Sequence, residues 1–450
     1  MIKPEEAALQ IKQRPAFKPA SIRPNLRHAA IAALAILAAA GIVAYIIKLG
    51  SWGEAGRAKW AYPTVALMYI LSTAAGAPLV AYASRAARGY WALPARRVAE
   101  LYIIPATISY ILLIPILATL PPLEGRSNLW FNFHAGAPFL TDALAAAIMV
   151  LAGVGMLWIS TVPDLAVAWR ANGELSSWQR ALVFNWTGTT RQWIAARIGT
   201  KVFGAFYLMA YIYTHLVLST DLGQALVPGW RSGIFPAYHA LTGIQGGLAL
   251  TIVTLFLLKR YSSVGRFIGN EQAINLGKLL LATTLLWFYF FWSDFVLVWY
   301  ARIPSEVAAM QLTIAITYRL PFILGFLGLF LIPFVCLIFN PVRRNLWSLA
   351  AVGGVTLVGL VFDRIRLFVP AMSHPDPFHH SLGTNLPDAF GPSALDIVFL
   401  IGWIAIMALA FIWAASRLPV LGGWELRHGA MLRREQQFMK GHVYVLGKPD

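Results

Sequence analysis

An all-α, polytopic membrane protein of about ten transmembrane helices is the fold class this sequence predicts, on three observations. The first is composition. The 450 residues are 58% hydrophobic and only 12% charged, with a mean hydropathy of +0.65, where soluble domains average about 25% charged residues. The second is spacing: apolar runs of the length needed to span about 30 Å of hydrocarbon recur along the whole chain. The third is charge. With the N-terminus placed in the cytoplasm, the inside segments hold about 27 Lys and Arg and the outside segments about 8, with Arg319 left within a span. The positive-inside rule then puts both termini in the cytoplasm. The formal charge of +17 is a topology signal and a match to anionic lipid, not a nucleic-acid patch.

The expected organisation is a cytoplasmic tail over 1–28, a transmembrane domain over 29–415 and a second cytoplasmic tail over 416–450. No polar stretch is long enough for a soluble domain. The opening residues are polar and basic, unlike a cleavable secretory signal, which brings its apolar region almost at once. The single cysteine, Cys336, excludes an intrachain disulfide and an iron–sulfur cluster held by this chain alone. It lies in an apolar run and reads as a small core residue.

Taken in order, the spans fall near 29–48, 63–83, 99–119, 141–162, 202–220, 236–258, 278–300, 311–338, 347–368 and 393–415. Glu100 stands near the cytoplasmic end of the third and Asp164 near that of the fourth. They read as solvated helix-end carboxylates or as the entry to a proton path, since intramembrane relays use Asp, Glu and His. His134 lies in the outer loop before the fourth span. His215 and Asp221 end the fifth and His239 begins the sixth. Asp294 stands two-thirds along the seventh among Trp287, Tyr289, Trp292 and Trp299. Arg302 and Glu306 occupy the next outer loop, and Arg319 opens the eighth span beside Pro321, which frees backbone groups and bends a helix. The outer loops 121–142, 221–236 and 369–392 are rich in Pro, Gly, aromatics and His, and can pack as lids or against a partner.

These polar groups converge on the outer half of the bundle. A carboxylate in hydrocarbon costs about 2.5–3.5 kcal/mol on insertion scales, so Asp294 faces a cavity or a partner. A helix-packing hydrogen bond is the structural reading; a proton or ligand group is the functional one, and it is favoured. Arg319 reads equally well as half of an Asp–Arg pair holding helices together. Carboxylate, His and Arg in one cleft suit a quinol, whose hydroxyls need proton acceptors while aromatics such as Trp287 and Trp292 pack on its ring. His215 and His239, at similar depth on adjacent spans, also admit axial ligation of a haem. No P-loop, zinc spacing or Ser–His–Asp signature is present. A secondary transporter using Asp294 and Arg319, and a non-catalytic membrane scaffold, are the other readings.

Three segments together resemble the NrfD/polysulfide reductase C family of membrane subunits, and especially the two large integral subunits of alternative complex III. They are VPDLAVAWR (162–170), HLVLSTDLGQALVPGWRSGIFPAYHALTGIQGGLAL (215–250) and LGKLLLATTLLWFYFFWSDFVLVWYARIPSE (276–306). They are similar to the family's Pro-Asp-Leu-Ala stretch, its Pro-Gly-Trp and Ile-Phe-Pro pattern, and its Trp-Tyr-Phe to Ile-Pro-Glu segment. In one respect the chain departs from the family. Members that bind quinol often carry His-Leu-Gly-Arg at the outer end of span three, where this chain reads IPILATLPPLEG (114–125), and His134 is the nearest histidine.

The resemblance implies a double four-helix bundle in the bacterial inner membrane, with no redox metal of its own. It implies menaquinol or ubiquinol as substrate, taken near the extracytoplasmic face, and electrons passed to a docked iron–sulfur subunit with c-type haem subunits nearby. A paralogous membrane subunit would stand beside it. By the same analogy His215, Asp221 and Asp294 are candidates for the catalytic quinol or proton site. His134, His239, Trp287, Trp292, Arg302, Glu306 and Arg319 are candidates for substrate binding, and Asp164 with Glu100 for a proton path. The missing motif makes the second paralogue, with a proton-path or scaffold role, the alternative.

Overall fold

The computed structural model describes residues 24–51, 53–121, 138–172, 175–375, 382, 386–426, 433–438 and 441–446. Its helices are α1 (Pro24–Leu49), α2 (Ala61–Ala86), α3 (Leu93–Leu101), α4 (Ile103–Leu117), α5 (Phe139–Asn172), α6 (Ser177–Val183), α7 (Thr190–Leu222), α8 (Phe235–Tyr261) and α9 (Asn270–Ala301). There follow α10 (Pro304–Met310), α11 (Arg319–Phe326), α12 (Ile332–Ile338), α13 (Asn340–Arg344), α14 (Leu346–Ser373) and α15 (Ala394–Arg417). Among the described residues ten helices are long and apolar enough to cross a membrane, which makes this a multi-pass membrane protein. Because the spans alternate in direction, α1 begins and α15 ends on one side, here the terminal side. The other is the distal side.

Two spans are interrupted, each at a proline. Pro105 has no N–H for the carbonyl of Leu101, and the third span breaks there into α3 and α4. In the eighth span Pro333 cannot bond the carbonyl of Leu329, and Leu327–Leu331 widens into a π-helix. The freed Leu329 oxygen accepts instead from Gln245 Nε2 of α8, at 2.8 Å. A second π segment, Gln311–Ala315, precedes the turn into α11. Capping boxes set two starts: Thr189 with Gln192 for α7, and Ser393 with Asp396 for α15.

The spans pack in two groups of four. In the first, α2 meets α4, α4 meets α5, α5 meets α7, and α7 returns to α2. In the second, α8 meets α9, α9 meets α12, the α11–α12 span meets α14, and α14 returns to α8. The groups join along α2 and α8, while α1 and α15 pair outside them. Glycines face glycines where these helices cross: Gly41 and Gly402, Gly76 with Gly243 and Gly247, and Gly328 and Gly359. Without Cβ atoms the backbones come into direct contact, and dispersion substitutes for the hydrophobic driving force that lipid does not supply. A buried ion pair, Lys48 Nζ to Asp396 at 2.7 Å, ties α1 to α15 near the distal side.

Part of the segment from 416 onward is ordered against the helices, and a short hairpin follows it. Residues 419–422 are buried against the bundle. Beyond them β1 (Arg433–Phe438) pairs antiparallel with β2 (Gly441–Leu446), Arg433 opposite Leu446 and Phe438 opposite Gly441. The run His442–Leu446 alternates β-branched and aromatic residues, which suit a pleated strand.

Candidate functional site

The second group of helices opens in a cleft on its distal half. Trp230, Arg231, Ser232 and Phe235 line it from the 223–234 connection and the start of α8, followed by Tyr238. Phe290, Phe291, Asp294, Phe295 and Val298 face it from α9, Glu306 and Met310 from α10, and Thr313 and Ile314 from the π segment. Arg366 and Leu367 close it from α14. It holds about 50 Å³ of space, room for a few waters. The 223–234 connection lies over the cleft as a lid, with its own Leu226 and Val227 buried.

Asp294 lies seven residues from the end of α9, about 10 Å below it at 1.5 Å per residue. Its Oδ1 accepts from Ser232 Oγ at 2.6 Å, and that same Oγ accepts from Phe235 N at 3.0 Å. The lid is thus fixed to the carboxylate by one hydroxyl. Behind it, Tyr238 donates to Asp363 Oδ1 at 2.6 Å, and Arg366 Nη2 donates to the Tyr238 hydroxyl at 2.7 Å. Arg366 Nε reaches Asp363 Oδ1 at 3.0 Å, and Arg364 Nη1 reaches Asp363 Oδ2 at 3.2 Å. Arg364 Nη2 continues to Thr242 and Ser72, at 2.8 and 3.3 Å. Asp363 is therefore the hub that orients a phenol and a guanidinium lining the cleft. Asp363→Asn removes the carboxylate shared by two buried guanidiniums, and a cost of about 3–5 kcal/mol is expected. Thermal unfolding in detergent, against the unchanged chain, measures it.

His215 of α7 and His239 of α8 are fully buried, with ring centroids 5.1 Å apart. All four ring nitrogens lack a hydrogen-bond partner. Tyr211 and Phe368 pack on the pair, and Phe235 stands between it and the cleft. The rings lie too close for a porphyrin plane to pass between them, which removes them as opposing axial ligands of one haem.

Of the residues expected from sequence, Asp294 and Glu306 line the cleft, and His215 and His239 meet behind it. Asp221 is buried at the distal end of α7. Trp287 is buried beneath, in an aromatic column with Phe291 and Phe330 and 5.7 Å from Tyr238. Trp292, Arg302 and Arg319 are exposed and do not line the cleft. His134 lies outside the described residues. Arg231, Ser232, Tyr238, Asp363, Arg364 and Arg366 were not singled out from sequence. The signal was legible: FDRIR (362–366) puts three charges inside an apolar run.

Glu100 and Asp164 meet on the terminal side, bridged by Arg97, 3.4 and 3.3 Å from their carboxylates. Glu100 is fully buried rather than solvated. It pairs with Arg85 and accepts from Ser160 Oγ at 2.8 Å. Glu425, from beyond the last span, joins Arg85 at 2.9 Å and Arg96 at 3.1 Å. Burial pushes the Glu425 carboxyl up, but the two guanidiniums outweigh it and hold it at about 2. A depressed folded pKa gives stability that is present above the ordinary carboxylate range and lost as pH falls through about 2. The melting-temperature difference between Glu425→Gln and the unchanged chain is therefore expected to be flat from about pH 6 to 8.

Among the described residues no group of three or more His, Cys, Asp or Glu is placed to hold a metal. No family model matches the chain, and no curated protein matches its sequence.

Proposed function

We propose that this chain is the membrane subunit of a quinol-oxidising electron-transfer complex in a bacterial inner membrane, with both termini cytoplasmic and the cleft toward the extracytoplasmic face. One observation carries the reading: a carboxylate, a guanidinium and a phenol converge on an aromatic-lined cleft in the outer half of a membrane bundle. A quinol has two hydroxyls on a flat apolar ring, and this lining is complementary to it. The cleft as it stands has room for a few waters, so the 223–234 lid shifts to admit the ring, which packs on Phe291 and Phe295. Asp294 accepts a hydroxyl proton, and Arg366 stabilises the oxyanion left behind. The second proton leaves through the same cleft, and the two electrons pass to a docked subunit. The partners in this reading are iron–sulfur and c-type haem subunits on the extracytoplasmic face and a paralogous membrane subunit. The arrangement of the central spans in two groups of four supports the NrfD-like reading of the fold.

A transporter is the second reading, and one observation favours it. The span lining the cleft from 304 to 338 is discontinuous, and broken helices build many transport sites. Native purification through this chain in mild detergent, with co-purifying proteins identified by mass spectrometry, separates the two. Iron–sulfur and multihaem partners are the expected result. A chain that emerges alone overturns the redox reading and favours transport.

A further inference from the structure

On the terminal side the chain folds its own end back into the bundle. After α15 ends at Arg417, whose carbonyl accepts from Gln179 Nε2 at 2.6 Å, residues 419–422 are buried. Trp424 then lies across α5: its N–H donates to Asp164 Oδ1 at 3.1 Å and its Nε1 to the Ser160 carbonyl at 3.0 Å. Glu425, 3% exposed, inserts between Arg85 and Arg96. With it the buried cluster holds three guanidiniums (Arg85, Arg96, Arg97) and three carboxylates (Glu100, Asp164, Glu425). Without it one positive charge stands unbalanced.

Two features make this contact separable from the span it follows. Gly422 and Gly423 precede the inserted residues, and paired glycines give the backbone its widest freedom. The charge cluster is also incompletely satisfied, because Arg85 Nη2 and Glu425 Oε2 make no hydrogen bond. A half-satisfied buried network gains less from staying closed. We propose that residues 424–426 are a hinged plug, seated through 419–421, that closes the terminal-side mouth over Glu100 and Asp164 and opens them to that side when it swings out. This inference does not rest on the quinol reading, since any proton or ion entering from the terminal side meets the plug first.

The test uses the full chain in native membrane vesicles with the terminal side outward. Cys336→Ser removes the only native thiol, and Ser160→Cys places a thiol of nearly the same size beneath Trp424. Its reaction with a membrane-impermeant, charged methanethiosulfonate is followed. With the plug intact, labelling is expected to be slow and to reach a limiting rate as reagent concentration rises, because opening sets the pace. Glu425→Gln is expected to raise the rate at least tenfold, and Glu425→Asp to restore slow labelling. The melting temperature and size-exclusion profile of every variant are measured alongside. Labelling that occurs only in denaturant overturns the proposal. So does Glu425→Gln that labels no faster while staying folded, or faster labelling only in variants that have lost the folded profile.

Discussion

Asp294→Asn is expected to lower quinol oxidation by the intact complex about 100-fold or more, the scale of general acid–base contributions, while the chain stays folded. The substitution is close to isosteric, and an amide oxygen can still accept from Ser232 Oγ, which now approaches at 2.6 Å. The lid therefore keeps its anchor. What is lost is the capacity to take a proton, so the change isolates chemistry from position. Arg302→Gln and Arg319→Gln serve as controls, because both side chains are exposed and off the cleft; near-silent turnover is expected for each. Steady-state oxidation of a soluble quinol analogue by membranes containing each variant decides it. Unchanged turnover in Asp294→Asn removes the central residue. A pure scaffold predicts a different pattern, in which all three variants leave turnover intact and those at buried charges lower the melting temperature.

The contrast between Arg319 and Arg366 indicates what the sequence could tell. Apolar runs and basic loops locate ten spans because length and charge are one-dimensional properties. Depth is not. FDRIR stands near the apparent end of the ninth span, where its arginines count as boundary charges. The helix in fact runs through Pro370 to Ser373, so all three charges lie within it. Facing, by contrast, is legible in helical spacing. On α9 the positions 287, 291, 294 and 298 fall on one side at helical spacing, and Trp287 is buried while Phe291, Asp294 and Val298 line the cleft. Trp292, Trp299 and Tyr300 point away and are more than half exposed. An aromatic count does not separate the two sets, whereas a helical wheel does. The plug lay beyond reach for another reason. Glu425 is 340 residues from Arg85 along the chain, and no local pattern marks a partner at that distance.

The largest effect on stability is expected at the seam between the two groups of helices, from Gly247→Leu. A Cβ on residue 247 would lie 2.3 Å from the Gly76 carbonyl carbon and 2.3 Å from Ala77 N, and one on residue 76 would lie 2.1 Å from the Gly243 oxygen. These are backbone atoms of α2 and α8, and the spanning window of α2 is wholly buried, so no side-chain rotation relieves the contact. Either α2 and α8 separate along their length, or the crossing unwinds locally. Separation would pull apart the network in which Arg364 of α14 donates to both Ser72 of α2 and Thr242 of α8, and with it the support of Arg366. Overpacking of this kind costs about 3 kcal/mol or more where nothing can yield. A control comes from Gly354 of α14, where an added Cβ meets nothing within 4 Å. There Gly354→Ala is expected to be neutral or to stabilise by about 0.5–1 kcal/mol through helix propensity. Fluorescence-detected size-exclusion chromatography after a heating series reads both. A monodisperse, thermally unchanged Gly247→Leu would mean that α2 and α8 do not cross at these glycines, and the seam between the two groups would have to lie elsewhere.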